Sequence, residues 1–430
     1  MRIAPRMPIS VRLLLGTLVV LLAVALPAAH AKDDIRRPEG GWRELPVDES
    51  LKNQKSRIKS ILRNREFAEG EEAMFVKYYF RYELPLWSLE KERARLAGFR
   101  VLLARDLTTA RTGPPHAKLN ELVFVFMSKL CKDDPTKGKF HPASRVNAMM
   151  MLGELNSKEM VAATDKPVPL AAAVPVMLEA IADPQQLDAV KVAALGGLIR
   201  HGKLGGLTDA ESRGKVLAAM LKLAATDAEP GRSEDGHAWM RSMACEVLGH
   251  IGTVGSKEEV PKVLASIVGD SSQPFFLRTK AAYALGELKY PAGAFDSAPA
   301  ALAAGRLIVD ACNSENDSDD PFRRRLKARL AGAKAAVEAL PASPDAKPSP
   351  GQLKKSVAAM WKIFDDKEIE DAPELVAKIM EEVPTLPEVA EPVEEEPASE
   401  DEIPEDLPED EPEDLPDDEP VDEDVEDLPE

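Results

Sequence analysis

One pattern recurs along this chain and constrains it more than any other feature: Arg145-x-x-Ala148-x-x-x-Leu152-Gly153-x-Leu155. It returns as Arg241-x-x-Ala244-x-x-x-Leu248-Gly249-x-Ile251 and as Arg278-x-x-Ala281-x-x-x-Leu285-Gly286-x-Leu288. Between the first two lies a degraded copy, Lys191-x-x-Ala194-x-x-x-Leu198, with Ile199 where the others have Gly. The starts are 46, 50 and 37 residues apart, the spacing of stacked helical hairpins. A single hairpin cannot bury its apolar face alone, so such a period predicts an all-α array in which each unit covers its neighbour.

Within each copy, positions three, four, seven and eight beyond the Arg or Lys are apolar or small: Ala148, Met149, Leu152 and Gly153 in the first. The same positions hold Ala194, Leu195, Leu198 and Ile199; then Ala244, Cys245, Leu248 and Gly249; then Ala281, Ala282, Leu285 and Gly286. That spacing draws one stripe along a helix, kept thin by Ala and Gly where a neighbour comes close. Position nine is polar throughout (Glu154, Arg200, His250, Glu287) and is expected to face water. An apolar helix and a turn precede each motif, as in Ala173–Ala182 before Asp183-Pro184, and Val260–Val268 before Gly269-Asp270. Asp183-Pro184 and Asp320-Pro321 read as an N-cap followed by proline at the first helical position.

The unit of helix, Asp-containing turn and Val/Leu-Arg/Lys-x-x-Ala-x-x-x-Leu-Gly resembles the HEAT repeat, in particular the HEAT-like repeats of phycobilisome lyases. The resemblance covers roughly residues 86–340 and implies an α-solenoid of HEAT-like hairpins. It also implies a polar ladder in which Asp134, Asp183 and Asp270 face Arg145, Lys191 and Arg278. The aromatic block at 75–82, with Phe140–Ala148, is similar to uncharacterised secreted HEAT-repeat proteins of bacteria. Most HEAT-like proteins are scaffolds, so the resemblance carries the fold further than the activity.

Aromatic residues make up only 5% of the 430, which suits helix packing by Ala, Leu, Val and Met. The net charge of −19 is unevenly distributed. Residues 383–430 hold 24 Asp and Glu and no Lys or Arg, leaving 55 cations against 50 acids in the other 382 residues. There Glu-Asp-Leu-Pro recurs at 405–408, 413–416 and 426–429, and like charge with proline predicts a disordered acidic tail. At the other end, Arg2, Arg6 and Arg12 precede a 14-residue apolar run, Leu13–Leu26. Ala29-His30-Ala31 then offers a small-x-small cleavage site before Lys32. Residues 1–31 therefore read as a secretory signal, since a membrane span needs about 20 apolar residues; an uncleaved anchor is the alternative. The mature chain is expected to be exported: periplasmic, extracellular or associated with the cell envelope, and off the membrane after cleavage.

Residues 32–85 read as an irregular lead-in followed by a helical and aromatic cap. Leu51–Arg65 carries Lys52, Lys55, Arg57, Lys59, Arg63 and Arg65 with no acid, over an apolar face of Leu51, Ile58, Ile61 and Leu62. Such a helix binds anionic lipid or nucleic acid, or packs on the first repeat with a solvated basic back. Packing is the expectation, and export argues against nucleic acid. Phe75-Val-Lys-Tyr-Tyr-Phe-Arg-Tyr82 is expected to close the open end of the array; an exposed recognition patch is the other reading. Residues 87–110 and 117–131 read as a helical pair about Gly113-Pro114-Pro115. Asn313–Asp320 has alternating oxygen side chains but lacks the central Gly and final Glu of a calcium loop, and reads as a polar loop before a cap. A basic helix follows over 321–340, then a Pro/Ser linker at 341–350, and short helices near 353–364 and 373–382 within residues 351–382.

Catalytic signatures are absent: no His-Glu-x-x-His, Gly-x-Ser-x-Gly, Gly-Lys-Ser/Thr or Cys-x-x-Cys occurs. His201 falls where other copies have Leu155, Ile251 and Leu288, a core position. His237, Cys245 and His250 are the nearest thing to a metal cluster, but 245 and 250 do not share a helical face. Cys245 reads as a core thiol, and a Cys131–Cys312 bridge stays open. Neither a cofactor nor a metal is expected. The sequence thus predicts an exported, non-catalytic scaffold for a protein partner. One alternative gives the tail the binding role, toward basic partners, weakly bound divalent cations or the cations of Arg323–Arg329. Another, from resemblance alone, is a chromophore-lyase-like enzyme.

Overall fold

A computed structural model describes residues 38, 41–132, 138–162, 164–229, 232–291, 295–318, 323–342 and 349–366. Residues 1–31, expected to be a signal, with Lys32, Asp134, Asp320-Pro321, residues 373–382 and the acidic tail lie outside the described residues. The chain is all-α in architecture, with its helices packed in sequence order, as in a helical repeat array.

The lead-in runs along residues 138–141: Arg43 N–H donates to the Lys139 carbonyl, and Trp42 meets the edge of the His141 ring. Helix α1 (Lys55–Asn64) buries Leu51, Ile58, Ile61 and Leu62 and packs on α3 (Leu96–Ala110). Its basic back is partly engaged, since Lys59 pairs with the buried carboxylate of Asp106. Asp106 also accepts from the Tyr79 hydroxyl at 3.0 Å. Helix α2 (Glu71–Tyr78) continues into a π-helical turn over 79–83, which turns Phe75, Tyr78, Tyr79 and Tyr82 all inward. Of the rings in that block only Phe80 is exposed. The aromatics thus form core at the N-terminal end of the array. Residues 85–95 form two short 3₁₀ stretches where a regular helix from 87 was expected.

Five helical hairpins follow. They pair α4 (Pro114–Cys131) with α5 (Pro142–Glu154), α6 (Ala173–Ala182) with α7 (Asp188–Leu204), and α8 (Ala210–Ala225) with α9 (Glu234–Ile251). Then α10 (Glu259–Gly269) pairs with α11 (Phe275–Glu287), and α12 (Ala298–Asn316) with α13 (Arg323–Ala339). A last helix, α14 (Pro350–Asp366), packs on α13; it begins three residues before the expected 353 because Ser349 accepts the Gln352 N–H and Pro350 takes the first helical position. Between α5 and α6 a two-stranded antiparallel ladder, β1 (Asn156–Lys158) with β2 (Val168–Pro169), replaces a simple turn. Alternation over so few residues is too weak a signal to read in sequence.

The second helices α3, α5, α7, α9, α11 and α13 stack on one another in order. Ala148, Ala194, Ala244 and Ala281 are all fully buried in this stack. A Cβ on Gly153 would lie 2.7 Å from the Gly197 Cα, one on Gly249 would lie 2.9 Å from the Ala284 Cα, and one on Gly286 would lie 2.7 Å from the Ala335 backbone. Position eight of α5, α9 and α11 therefore meets position six of the next second helix. Helix α13 obeys the same register counted from Arg329, so Arg329, Gly332, Ala333, Ala336 and Val337 form a fifth copy. Sequence comparison missed it because Gly replaces the motif Ala and Ala replaces the motif Leu.

Asp183-Pro184 does not cap α7. Asp183 ends α6 and accepts the Gln185 N–H at 2.8 Å, while Leu187 precedes the first turn of α7. Gln186 needs those intervening residues to reach its buried position beside Cys131 and Arg145. Asn313–Asn316 is likewise the last turn of α12, not a loop.

Candidate interaction surface

Among the described residues the motif arginines link the hairpins through backbone carbonyls, Gln186, Gln273 and Asp310, and Arg241 also lies 3.8 Å from the turn carboxylate of Asp227. Arg278, 1% exposed, donates through Nε to the Val268 carbonyl at 2.8 Å and through Nη2 to Asp310 at 2.7 Å, in the following hairpin. Arg241 donates to the Ala224 carbonyl at 2.9 Å and to Gln273 at 2.9 Å. Arg145 donates to Gln186, one hairpin on. Each Arg therefore reaches back to its own hairpin or forward to the next. Asp270 instead accepts from Ser272 and Gln273 within its own turn, which holds its carboxyl below the usual range despite burial. Lys191 has no guanidinium fork; burial and the nearby Arg232 lower its pKa.

The opposite face of α9 and α11 carries exposed side chains. On α9 it presents Trp239, Met243, Glu246 and His250, and on α11 Phe276, Lys280, Tyr283 and Glu287, residues spaced as one helical face. Position nine was expected to face water. Its side chains are instead paired along the array: Arg100 with Glu154 at 3.3 Å, Arg200 with the Gly153 carbonyl at 3.2 Å, and His250 with Glu287 at 2.8 Å. Lys280 reaches Glu246 at 2.8 Å beside them. Stacking at Gly-to-Ala distance brings these long side chains within reach of one another. Burial raises the Glu154 pKa and lowers that of Arg200.

Beside these polar side chains stand exposed rings. Trp239, Phe276 and Tyr283 keep 42%, 42% and 40% of their surface open. Trp239 and Phe276 occupy the same repeat position, two residues before Arg241 and Arg278, while Tyr283 lies five beyond Arg278. On α13 the equivalent positions are Lys327 and Lys334, and both ammonium groups sit over the Trp361 ring of α14, at 5.3 and 5.2 Å. Two successive second helices, α9 and α11, thus carry an aromatic ring at one repeat position, and on α13 a lysine there meets the Trp361 ring of α14. Other cations of α13 are engaged: Arg325 by Glu315 at 2.8 Å, and Arg329 by Ser314 and the Phe275 ring. The aromatic row escaped sequence reading, although aligning the copies two residues upstream of the motif Arg would have found Trp239 above Phe276.

The remaining sequence candidates are dispersed. His201 is fully buried on α7, and burial with the adjacent Arg200 depresses its pKa to about 4. His237 meets the Thr226 carbonyl at 2.7 Å, and His250 is paired as above. His141 accepts the Ala143 N–H and caps α5. His116 lies in a buried polar cluster with Asn120, Asn156 and Glu159, in which Asn120 donates to the Asn156 carbonyl at 2.6 Å and so ties β1 to α4. Cys131, Cys245 and Cys312 are free and buried, and burial pushes each thiol to about 12. None is a thiolate at neutral pH. Among the described residues no three metal-ligating side chains converge, and no helix is long and apolar enough to cross a membrane. No protein-family model, curated protein or solved structure matches the chain.

Proposed function

We propose that this chain is a HEAT-like α-solenoid that acts, after export, as a non-catalytic scaffold, holding a protein partner on the outward face of its second helices. The observation that carries this reading is the row of exposed rings, Trp239, Phe276 and Tyr283, on neighbouring helices. Trp and Tyr are enriched at the centres of protein interfaces, where large rigid rings bury area at low entropic cost. Beside the row Lys280 pairs with Glu246, so these two charges offset one another. The rings belong to the open face of their helices, so changing them spares the buried stripe. Capture of a partner from the envelope fraction by the mature protein should therefore be lost by W239A/F276A/Y283A, with helical content and unfolding midpoint kept. Capture undiminished by the triple variant would remove this face from the recognition surface. The acidic tail supports a second mode, in which its 24 carboxylates hold a basic partner or loosely bound divalent cations.

A further inference from the structure

We propose that the basic sides of α1 and α3 form a docking surface for an anionic lipid bilayer, which brings the chain to the headgroups without inserting it. The proposal goes beyond the aromatic row, to which neither helix contributes. It starts from charge that the fold leaves unused. Residues 51–65 and 96–113 carry nine cations and one acid, whereas the chain outside 383–430 carries 55 against 50. The one acid, Asp106, is buried and engaged by Lys59 and Tyr79. Arg57 and Arg100 are taken by Glu71 and Glu154. The other cations, Lys52, Lys55, Arg63, Arg65, Arg105 and Arg111, make no side-chain hydrogen bond or ion pair among the described residues. All but the half-buried Arg111 are exposed.

Packing gathers these cations. Helix α1 turns Ile58, Ile61 and Leu62 inward, which leaves its basic side in solvent over about 20 Å from Lys52 to Arg65. The Lys59–Asp106 pair sets Arg105 beside the middle of α1. At the end of α1, a Cβ on Gly113 would lie 2.1 Å from the Arg65 carbonyl oxygen, so Arg65 and Arg111 share one corner. Glu49 precedes the row and Glu66 and Glu69 follow it, so acids flank its ends and none interrupts it. Val101, 65% exposed, stands one turn before Arg105 on the same face of α3 and adds an apolar contact at headgroup depth. Long solvated cations with no fixed acceptor among them set no register for a folded partner, whereas a fluid sheet of phosphates meets them in any register. Each Lys or Arg held at an anionic leaflet raises partition by about fivefold. The chain was expected off the membrane after cleavage; attraction of this kind needs no spanning segment, and no described helix is long and apolar enough to be one.

The test sediments the mature chain, residues 32–430, with vesicles of phosphatidylcholine alone or with about 30% phosphatidylglycerol. Starting at Lys32 removes the apolar run of residues 13–26, which would enter a bilayer by itself. Binding should require the anionic lipid and fade toward about 1 M salt, where the Debye length is about 3 Å. K52Q/K55Q/R63Q/R105Q, at exposed positions without side-chain partners, should lower partition by about a hundredfold or more with helical content unchanged. K158Q/K166Q/K203Q/R213Q removes the same charge from exposed positions elsewhere and should lower it by less than about fivefold. Equal losses in the two variants would mean that net charge, and not this surface, binds. Equal binding to neutral vesicles, or none to anionic ones, would also overturn the proposal. So would release by millimolar inorganic phosphate at constant ionic strength, or by polyglutamate carrying less charge than the lipid, since these assign the cations to free phosphate or to an acidic protein. W239A/F276A/Y283A should bind vesicles undiminished, and a loss there would move the membrane contact to the aromatic row.

Discussion

His201 takes the core position that leucine or isoleucine fills in the other copies, and neither of its ring nitrogens meets a hydrogen-bond partner among the described residues. Burying an imidazole in this way costs stability that a leucine would not. Its pKa in the folded chain is about 4, below the ordinary 6.5, so the unfolded chain binds the extra proton more readily. Its neutral form therefore favours folding above pH 6.5, and that contribution is lost as pH falls from 6.5 toward 4. Over this window the loss is on the order of 3 kcal/mol. H201L should raise the urea midpoint at pH 7 and flatten the decline in stability between pH 6.5 and 4; a variant with the wild-type slope would show that other groups set it. At this scale the sequence was a fair guide to burial, because a polar residue at a repeat-equivalent core position keeps its backbone placement. The same method failed for position nine, since polarity fixes solvent preference only until a neighbouring helix supplies an ion-pair partner.

The decisive property of an element here is how closely its backbone can approach the next. Gly153 and Gly197 meet backbone to backbone, whereas the adjacent Gly196 faces open space. G153A should force α5 from α7 and destabilise the chain by about 1–3 kcal/mol, the usual cost of overpacking. G196A should instead stabilise it by about 0.5–1 kcal/mol through helix propensity. Urea midpoints of the two variants check both, and equal effects would mean that the close approach is not tight in solution. This contrast also explains the degraded copy. Ile199 stands where the other helices carry Gly, and contact of α7 with α9 falls instead at Gly202, whose Cβ would lie 2.9 Å from that of His250. The copy was thus degraded in letters but not in stacking, because the helix needs one small residue on that side and not one at a fixed position. Asp183 and Asp270 close their own turns for a related reason. Asp and Gln can each satisfy a guanidinium or close a turn, and only the path of the chain decides which does so.

For the whole molecule, charge is segregated in sequence: the 24 acids of residues 383–430 accompany a body with 55 cations against 50 acids. Attraction exerted by such a tail weakens as the Debye length falls from about 10 Å at 0.1 M salt to about 3 Å at 1 M, whereas contacts made by buried rings persist. If the aromatic row recognises the partner, protein lacking residues 383–430 should retain it in a 1 M salt wash. Loss with the tail or with salt would assign recognition to the carboxylates. The sequence by itself determined that the chain is helical and that its helices pack in order, because a stripe repeated at hairpin spacing can be buried only by the next copy of itself. It also identified the residues of that stripe, whose small size follows from the approach they permit. Only the tertiary structure decided what the other side of each helix does. Whether Glu287 is solvated or paired, whether Tyr79 is core or surface, and whether Trp239 and Phe276 share a row depend on the register between helices. That register is set by which small residues meet, a relation between distant segments that no local pattern contains.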